Sequence, residues 1–255
     1  MNINSRIVIT VASMLLPLGV FAQGLEGTVD WNRRVSLGFG ISGQVRTVNV
    51  EVGDTTSAGS VLVELDTTLL EIALSRASNN ADIRQSAVEE QMAVLARERT
   101  LYDEGSLSGV ALEQVELELV RREFAANDAE LDVKQAQYLL QLARLRAPFD
   151  AWVVGSDFTV GQFVNHESDE QLMMLLVEKG RYRANTIIGS EALASYSQGA
   201  SLQVLVGDKT YAAVSSRIGL EPIIEAGQAP QYALTVEFVS DELIRPGTSC
   251  TVSAP

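Results

Sequence analysis

Few residues in this chain are equipped for chemistry, and they do not gather. His166 is the only histidine and Cys250 the only cysteine among 255 residues. A protein metal site needs several nitrogen, sulfur or carboxylate donors converging on one point. No second histidine or cysteine accompanies His166, which reads as a loop residue. Cys250 sits in a strand-like run, Thr248-Ser-Cys-Thr-Val252, and reads as a buried, inert thiol; a lone cysteine also excludes an internal disulfide. Met173 and Met174 are the only adjacent thioethers, and core packing explains them better than metal capture. No Ser/His/Asp arrangement at known spacing, phosphate-cradling glycine loop or paired acidic motif is present. The expectation is a protein that is not an enzyme and holds no cofactor or metal. Three further residues matter by position. Arg97 carries a planar fork of donors, Leu101 follows it by four, and Ser108 stands where it can cap a helix.

The elements that place those three are long helices. At Asp66 the hydrophobic period changes from two to a mixture of three and four. Thr68-Leu-Leu-Glu71 reads as a capping box at a helix start. Leu70, Leu74, Ala77, Ala81, Val88, Leu95 and Tyr102 follow on one face. Residues 103–109, Asp-Glu-Gly-Ser-Leu-Ser-Gly, break the pattern and predict a turn. A second helix carries Leu112, Val115, Leu119, Ala126, Ala129, Val133, Ala136, Leu140 and Ala143. Beside them a row recurs every seven residues: Leu117, Phe124, Leu131, Tyr138 and Leu145. The two rows together predict one wide stripe buried against the first helix, and Pro148 is expected to stop the second. Each helix would span roughly 50 Å at 1.5 Å per residue. So short a turn makes them antiparallel, and their outer ends meet.

Short alternating strands flank the helices. Before them, Val45, Val48, Val50 and Val52 supply β-branched residues, with turns at Gly53-Asp54 and Ala58-Gly59. After residue 177 come runs at Tyr182–Ile188, Leu202–Val206, Thr210–Ile218, Tyr232–Val239 and Ser249–Val252. Gly207-Asp208-Lys209 reads as a hairpin turn and Glu191–Tyr196 as a helical turn or two. These fit a small β-barrel, with the stretch Val29–Phe39 a candidate extra strand.

Residues 1–22 read as an export signal: Arg6, an apolar stretch from Ile7 to Leu16, then Val20-Phe21-Ala22 at the cleavage position. Retention as an uncleaved N-terminal segment is the alternative. With 46% apolar residues the chain can build cores, and its net charge of −14 disfavours nucleic acid and anionic lipid as partners.

The two β segments resemble the halves of a lipoyl-type domain interrupted by a helical hairpin. Gly43, Gly53, Asp54, Gly59 and Asp66 match the first half and its turns; Ala147, Pro148, Phe149, Asp150 and Gly161 match the second, although Ala151 and Trp152 stand where a glycine is usual. That arrangement is similar to the periplasmic adaptor, or membrane fusion, proteins of resistance-nodulation-division (RND) efflux systems, a HlyD-like family. The resemblance implies an elongated, multidomain α+β protein: a split lipoyl-like β-sandwich (23–66 and 147–177), an antiparallel α-helical hairpin (67–146) and a small β-barrel (178–255). Because the chain stops at Pro255, the family's membrane-proximal domain is expected to be absent or vestigial. The resemblance also implies that Arg97, Leu101 and Ser108, at the family's spacings, dock on a TolC-like outer-membrane channel. An inner-membrane transporter and further copies of the chain, or a mixed adaptor ring, would complete the assembly in the periplasm. A type I secretion or metal-efflux adaptor is the alternative. A lipoyl or biotinyl carrier is disfavoured, because Glu64-Leu65-Asp66-Thr67 stands where a carrier places its lysine and no lysine precedes Lys134.

Overall fold

The computed structural model describes residues 24–168, 172–196, 201–224 and 229–254, so the export segment read over residues 1–22 lies outside the described residues. Among the described residues, fourteen strands and two long helices follow one another. The first group is β1 (Leu25–Trp31), β2 (Arg34–Leu37), β3 (Gly43–Val48), β4 (Thr55–Thr56) and β5 (Val61–Leu65). Helices α1 (Thr68–Asp103) and α2 (Gly109–Leu142) come next. Then follow β6 (Arg144–Arg146), β7 (Ala151–Ser156), β8 (Phe163–Val164) and β9 (Met174–Glu178). The last group is β10 (Arg181–Gly189), β11 (Gln203–Val206), β12 (Lys209–Ile218), β13 (Gln231–Val239) and β14 (Ser249–Ser253). The chain divides into two compact units, one from residues 31–179 and one from the flanking segments.

The first unit holds a β-sandwich and the two helices. One sheet runs β2-β9-β7-β4 and the other β6-β5-β3-β8. Both sheets combine segments from before and after the helices: β2 pairs with β9, β4 with β7, β5 with β6 and β3 with β8. Both segments therefore share one core, in which Val45, Leu62, Leu65, Val153, Met174 and Leu176 are all buried. Phe39 and Phe158 meet edge to face within it, ring centroids 5.4 Å apart. Met174 is fully buried while its neighbour Met173 is 40% exposed, so the adjacent thioethers do not share one environment.

α1 and α2 lie antiparallel. The Arg99 guanidinium meets the Glu116 carboxylate at 2.9 Å, Gln91 Nε2 donates to the Val115 carbonyl, and Arg122 donates to the Ala87 carbonyl. Ala126, Ala129 and Ala136 are buried in the seam, where small side chains let the helix backbones approach. The second apolar row does not join them. Leu117, Phe124, Leu131 and Tyr138 are 50–70% exposed. With seam positions alternating by three and four along α2, these four project on the opposite side of the helix, out of reach of α1.

Three other expectations are corrected here. Pro148 does not stop α2, which ends at Leu142; residues 144–146 instead form β6, with Leu145 turned into the sandwich core. Arg144 secures that strand by an ion pair to Glu64 on β5, 2.7 Å long. The capping box at Thr68 and Glu71 does not form. The cap residue is Thr67, whose hydroxyl donates to the Glu71 carboxylate, while Asp66 accepts from both the N–H and the hydroxyl of Thr68. The stretch Val29–Phe39 is two strands: β1 pairs with β14, and β2 with β9.

In the second unit six strands close into a barrel in the order β1-β10-β13-β12-β11-β14. Tyr182, Ile188, Val204, Leu234, Phe238 and Val252 fill it. The Tyr182 hydroxyl donates to the Glu242 carbonyl and accepts from the Ile244 N–H, tying the segment before β14 to the barrel; burial raises its pKa. β11 and β12 are joined by Gly207-Asp208, and Gly207 takes the positive φ of +58° that a two-residue hairpin loop requires. Residues 190–192 form a single 3-10 turn. Cys250 is buried, which raises its thiol pKa. Gly27 lies where β1 passes β10, and a Cβ there would sit 2.5 Å from the Asn185 carbonyl oxygen. Backbone cannot swing aside as a side chain does, so Gly27→Ala should lower barrel stability by about 2 kcal/mol, read from urea unfolding.

Candidate functional site

The hairpin tip is built from a helix end, a glycine turn and a helix start. α1 ends in a Schellman arrangement: the Gly105 N–H donates to the Tyr102 carbonyl and the Ser106 N–H to the Leu101 carbonyl. Gly105 has φ +76°, a left-handed conformation that Cβ-bearing residues resist. Ser108 then caps α2, its hydroxyl oxygen accepting from the Ala111 N–H at 3.2 Å. These bonds fix the turn without using Arg97 or the Leu101 side chain.

Arg97 and Leu101 lie one helical turn apart on α1, and both are exposed, Leu101 at 40%. Arg99 is committed to Glu116, whereas Arg97 forms no ion pair with any described residue, Glu98, Asp103 and Glu104 included. Leu101 does not close the hairpin core. The tip thus presents a free guanidinium, an exposed leucine and a helix-capping serine.

The lipoyl-type positions fall around the base of the hairpin. Gly53, Gly59 and Gly161 occupy turns with φ of +102°, +81° and +86°. Asp54 closes its turn by accepting from the Glu51 N–H, and Asp66, just before the α1 cap, accepts from the Thr68 N–H. Gly43 is not a turn residue: it lies in β3 opposite Val164, and a Cβ there would meet the Leu65 side chain at 3.1 Å. Ala147 bonds to both sides of the first segment's turn, through the Gly59 N–H and the Ser60 carbonyl, and Pro148 follows in a bend. Ala151 opens β7 fully buried, so a side chain replaces the usual glycine without loss of pairing. Asp150 caps the opposite turn by accepting from the Ala58 N–H.

Sequence reasoning missed one link. His166 Nδ1 lies 2.8 Å from the Ser42 hydroxyl, which also accepts from the His166 N–H. This exposed staple joins the turn before β3 to the turn after β8. Its partners are 124 residues apart, and no local pattern betrays such a pairing.

A family model described as "RND MFP, barrel-sandwich hybrid domain" matches residues 33–177, the whole sandwich and hairpin. The chain belongs to the RND membrane fusion protein family. Among curated relatives, this membrane fusion protein is 26% identical over 166 residues to PvdR, the pyoverdine export membrane fusion protein of Pseudomonas aeruginosa, covering 60% of this chain and 42% of that one. It is 23% identical over 168 residues to YdhJ of Escherichia coli, covering 63% and 58%. The chain therefore matches about half the length of these relatives. Among solved structures, the membrane fusion protein Spr0693 of Streptococcus pneumoniae superposes with a TM-score of 0.68 at 18% identity, covering 91% of this chain and 98% of that one. A MacA–MexA chimera carrying the Pseudomonas aeruginosa MexA α-hairpin gives 0.66 at 17% identity, covering 91% and 82%. At these identities the structural likeness establishes the fold.

The Asp66 hydrogen bonds at the start of α1 give this base a pH dependence. Hydrogen bonds from the Thr68 hydroxyl and N–H lower the Asp66 pKa. A carboxyl depressed by folding contributes stability above its unfolded pKa and loses it as pH falls through the folded value. Asp66→Asn should therefore be less stable than the parent at pH 7 and match it once both are acidified below that range, as urea unfolding at the two pH values would show.

Proposed function

We propose that this protein is a periplasmic adaptor that links an inner-membrane transporter of the RND type to a TolC-like outer-membrane channel. The observation that carries the proposal is the tip: a turn fixed by its own hydrogen bonds that leaves Arg97 unpaired and Leu101 exposed at the far end of a long hairpin. Arg97 donates to acceptors on the channel, Leu101 fills an apolar groove, and the Ser108 hydroxyl makes a close contact while capping α2. The barrel contacts the transporter.

The site chemistry favours this over the neighbouring readings. At the β5–α1 junction, where a lipoyl carrier holds its lysine, Glu64 pairs with Arg144, Leu65 is buried and Asp66 accepts from the Thr68 N–H. A metal-efflux role would draw on Met173 and Met174, and these face different surroundings. No helix among the described residues is long and apolar enough to cross a membrane, so membrane attachment in this reading comes through partners or the N-terminal segment.

The test is co-purification of the tagged, full-length chain from its own cells in mild detergent. Recovery of an RND transporter together with an outer-membrane channel is the expected result. A chain present at native abundance that brings down neither would overturn the proposal.

A further inference from the structure

We propose that the β12–β13 end of the barrel is a membrane-inserting prong, whose Leu220, Ile223 and Ile224 side chains enter one leaflet of a zwitterionic phospholipid bilayer. The prong comes from a mismatch along the ladder. β12 and β13 run in register to Ile218 opposite Leu234, and the Gly219 N–H continues the ladder to the Ala233 carbonyl. Pairing resumes at Ile223 opposite Gln231, with a backbone bond in each direction. Leu220, Glu221 and Pro222 thus stand opposite Tyr232 alone, and three residues against one must bow away from the ladder. Leu220 is accordingly 96% exposed, and Ile224 72%.

The bow continues an apolar patch on the outer wall of the barrel. Ile188 and Leu234 are buried in the interior, so Ile187 and Ala233, directly opposite each other, point outward. Gln231 shares that face with Ala233, and Ile223 shares it with Gln231. Ile187 is 49% and Ile223 39% exposed. Four large aliphatic side chains therefore crowd one end of the barrel with no described residue over them, and removing such a surface from water is favourable.

The chemistry of the prong favours lipid over a protein partner. Its exposed anchors are leucine and isoleucine, not the tryptophan, tyrosine and arginine that dominate protein hot spots. A side chain as protruding as Leu220 needs no matching pocket in hydrocarbon, which moulds to a convex surface. Unpaired backbone is the usual obstacle to insertion. Here Gly219 and Ile223 spend their N–H groups on the ladder, and Pro222 has none. Charge then selects the lipid. Glu221 and Glu225 are both acidic, and the whole chain carries −14. Their carboxylates stay at the headgroup level, where anionic lipid repels them and zwitterionic lipid offers amines. The inference concerns the barrel surface alone, and its failure would leave the channel-docking reading standing.

Site-specific fluorescence in the full-length chain tests it. Ile224→Cys is labelled with an environment-sensitive nitrobenzoxadiazole dye; Cys250 is buried, and dye-treated parent chain serves as the control. Vesicles of phosphatidylcholine and phosphatidylethanolamine should shift the emission to the blue, and nitroxides on the upper acyl chain should quench it. The same dye in place of Val239, exposed at the other end of β13, should report water throughout. Adding Leu220→Ser to the labelled chain should return most of the emission to its value in water. Replacing part of the lipid by phosphatidylglycerol should weaken the shift. The dye reports its own depth, so attachment through the N-terminal segment does not imitate the result. Emission from position 224 that stays water-like with every vesicle, or quenching that is equal at position 239, would overturn the proposal. A shift that grows with phosphatidylglycerol would overturn the choice of zwitterionic lipid. One that needs a membrane protein reconstituted beside the lipid would overturn insertion in favour of a protein partner.

Discussion

Arg97→Asp should abolish export while leaving the fold intact. The side chain is exposed, forms no ion pair with any described residue, and lies on a helix whose end is already secured by the backbone bonds of Gly105 and Ser106. Replacing it changes little inside the molecule, and surface substitutions of this kind usually stay within about 0.5 kcal/mol of the parent. At a docking surface the same change turns a fork of donors into a repelling carboxylate. Losses of roughly 2–5 kcal/mol are typical when one side of a desolvated charged contact is removed, or a weakening of at least about thirtyfold. The compound to follow is whichever one accumulates when the chain is deleted. Efflux should fall to the deletion level with an unchanged melting curve. Full efflux at native abundance would remove Arg97 from the docking surface.

Ala129→Asp should have the converse effect. Ala129 is 2% exposed in the seam between α1 and α2, where a carboxylate has neither water nor room. Burying an unpaired charge, added to forcing the helices apart, should cost about 3–5 kcal/mol. Phe124→Asp, about a turn and a half away on the opposite side of α2, should melt like the parent. Thermal unfolding followed by helical circular dichroism distinguishes the two rows directly. Equal losses from both substitutions would mean that the outward row is buried after all.

That comparison also marks how far the sequence could be read. The seam row was legible because alternating steps of three and four admit one inward face. The row beginning at Leu117 has the same period and the same residue types, and periodicity alone does not say which of two parallel rows meets the partner helix. Only the fixed geometry of α1 against α2 separates them. The turns were legible where φ is positive, at Gly53, Gly59 and Gly161, because glycine marks that backbone state. Gly43 carries the same letter for a different reason, the nearness of Leu65, and the sequence does not distinguish the two. Leu145 continues the heptad, so local pattern extends the helix through β6; the pairing of β6 with β5, some eighty residues earlier, overrides it. For the tip, the spacing of Arg97, Leu101 and Ser108 was visible at once. The fact that Arg99 takes Glu116 and leaves Arg97 free was not, since both arginines lie within reach of several carboxylates.

The most direct measurement is site-specific photo-cross-linking from position 101 in living cells. With a photoreactive residue in place of Leu101, illumination should give a covalent adduct whose other half is an outer-membrane channel. The same residue in place of Ile72, near the base of the hairpin, should give none. A chain that supports export yet yields no channel adduct from position 101, or yields it equally from position 72, would contradict docking through the tip.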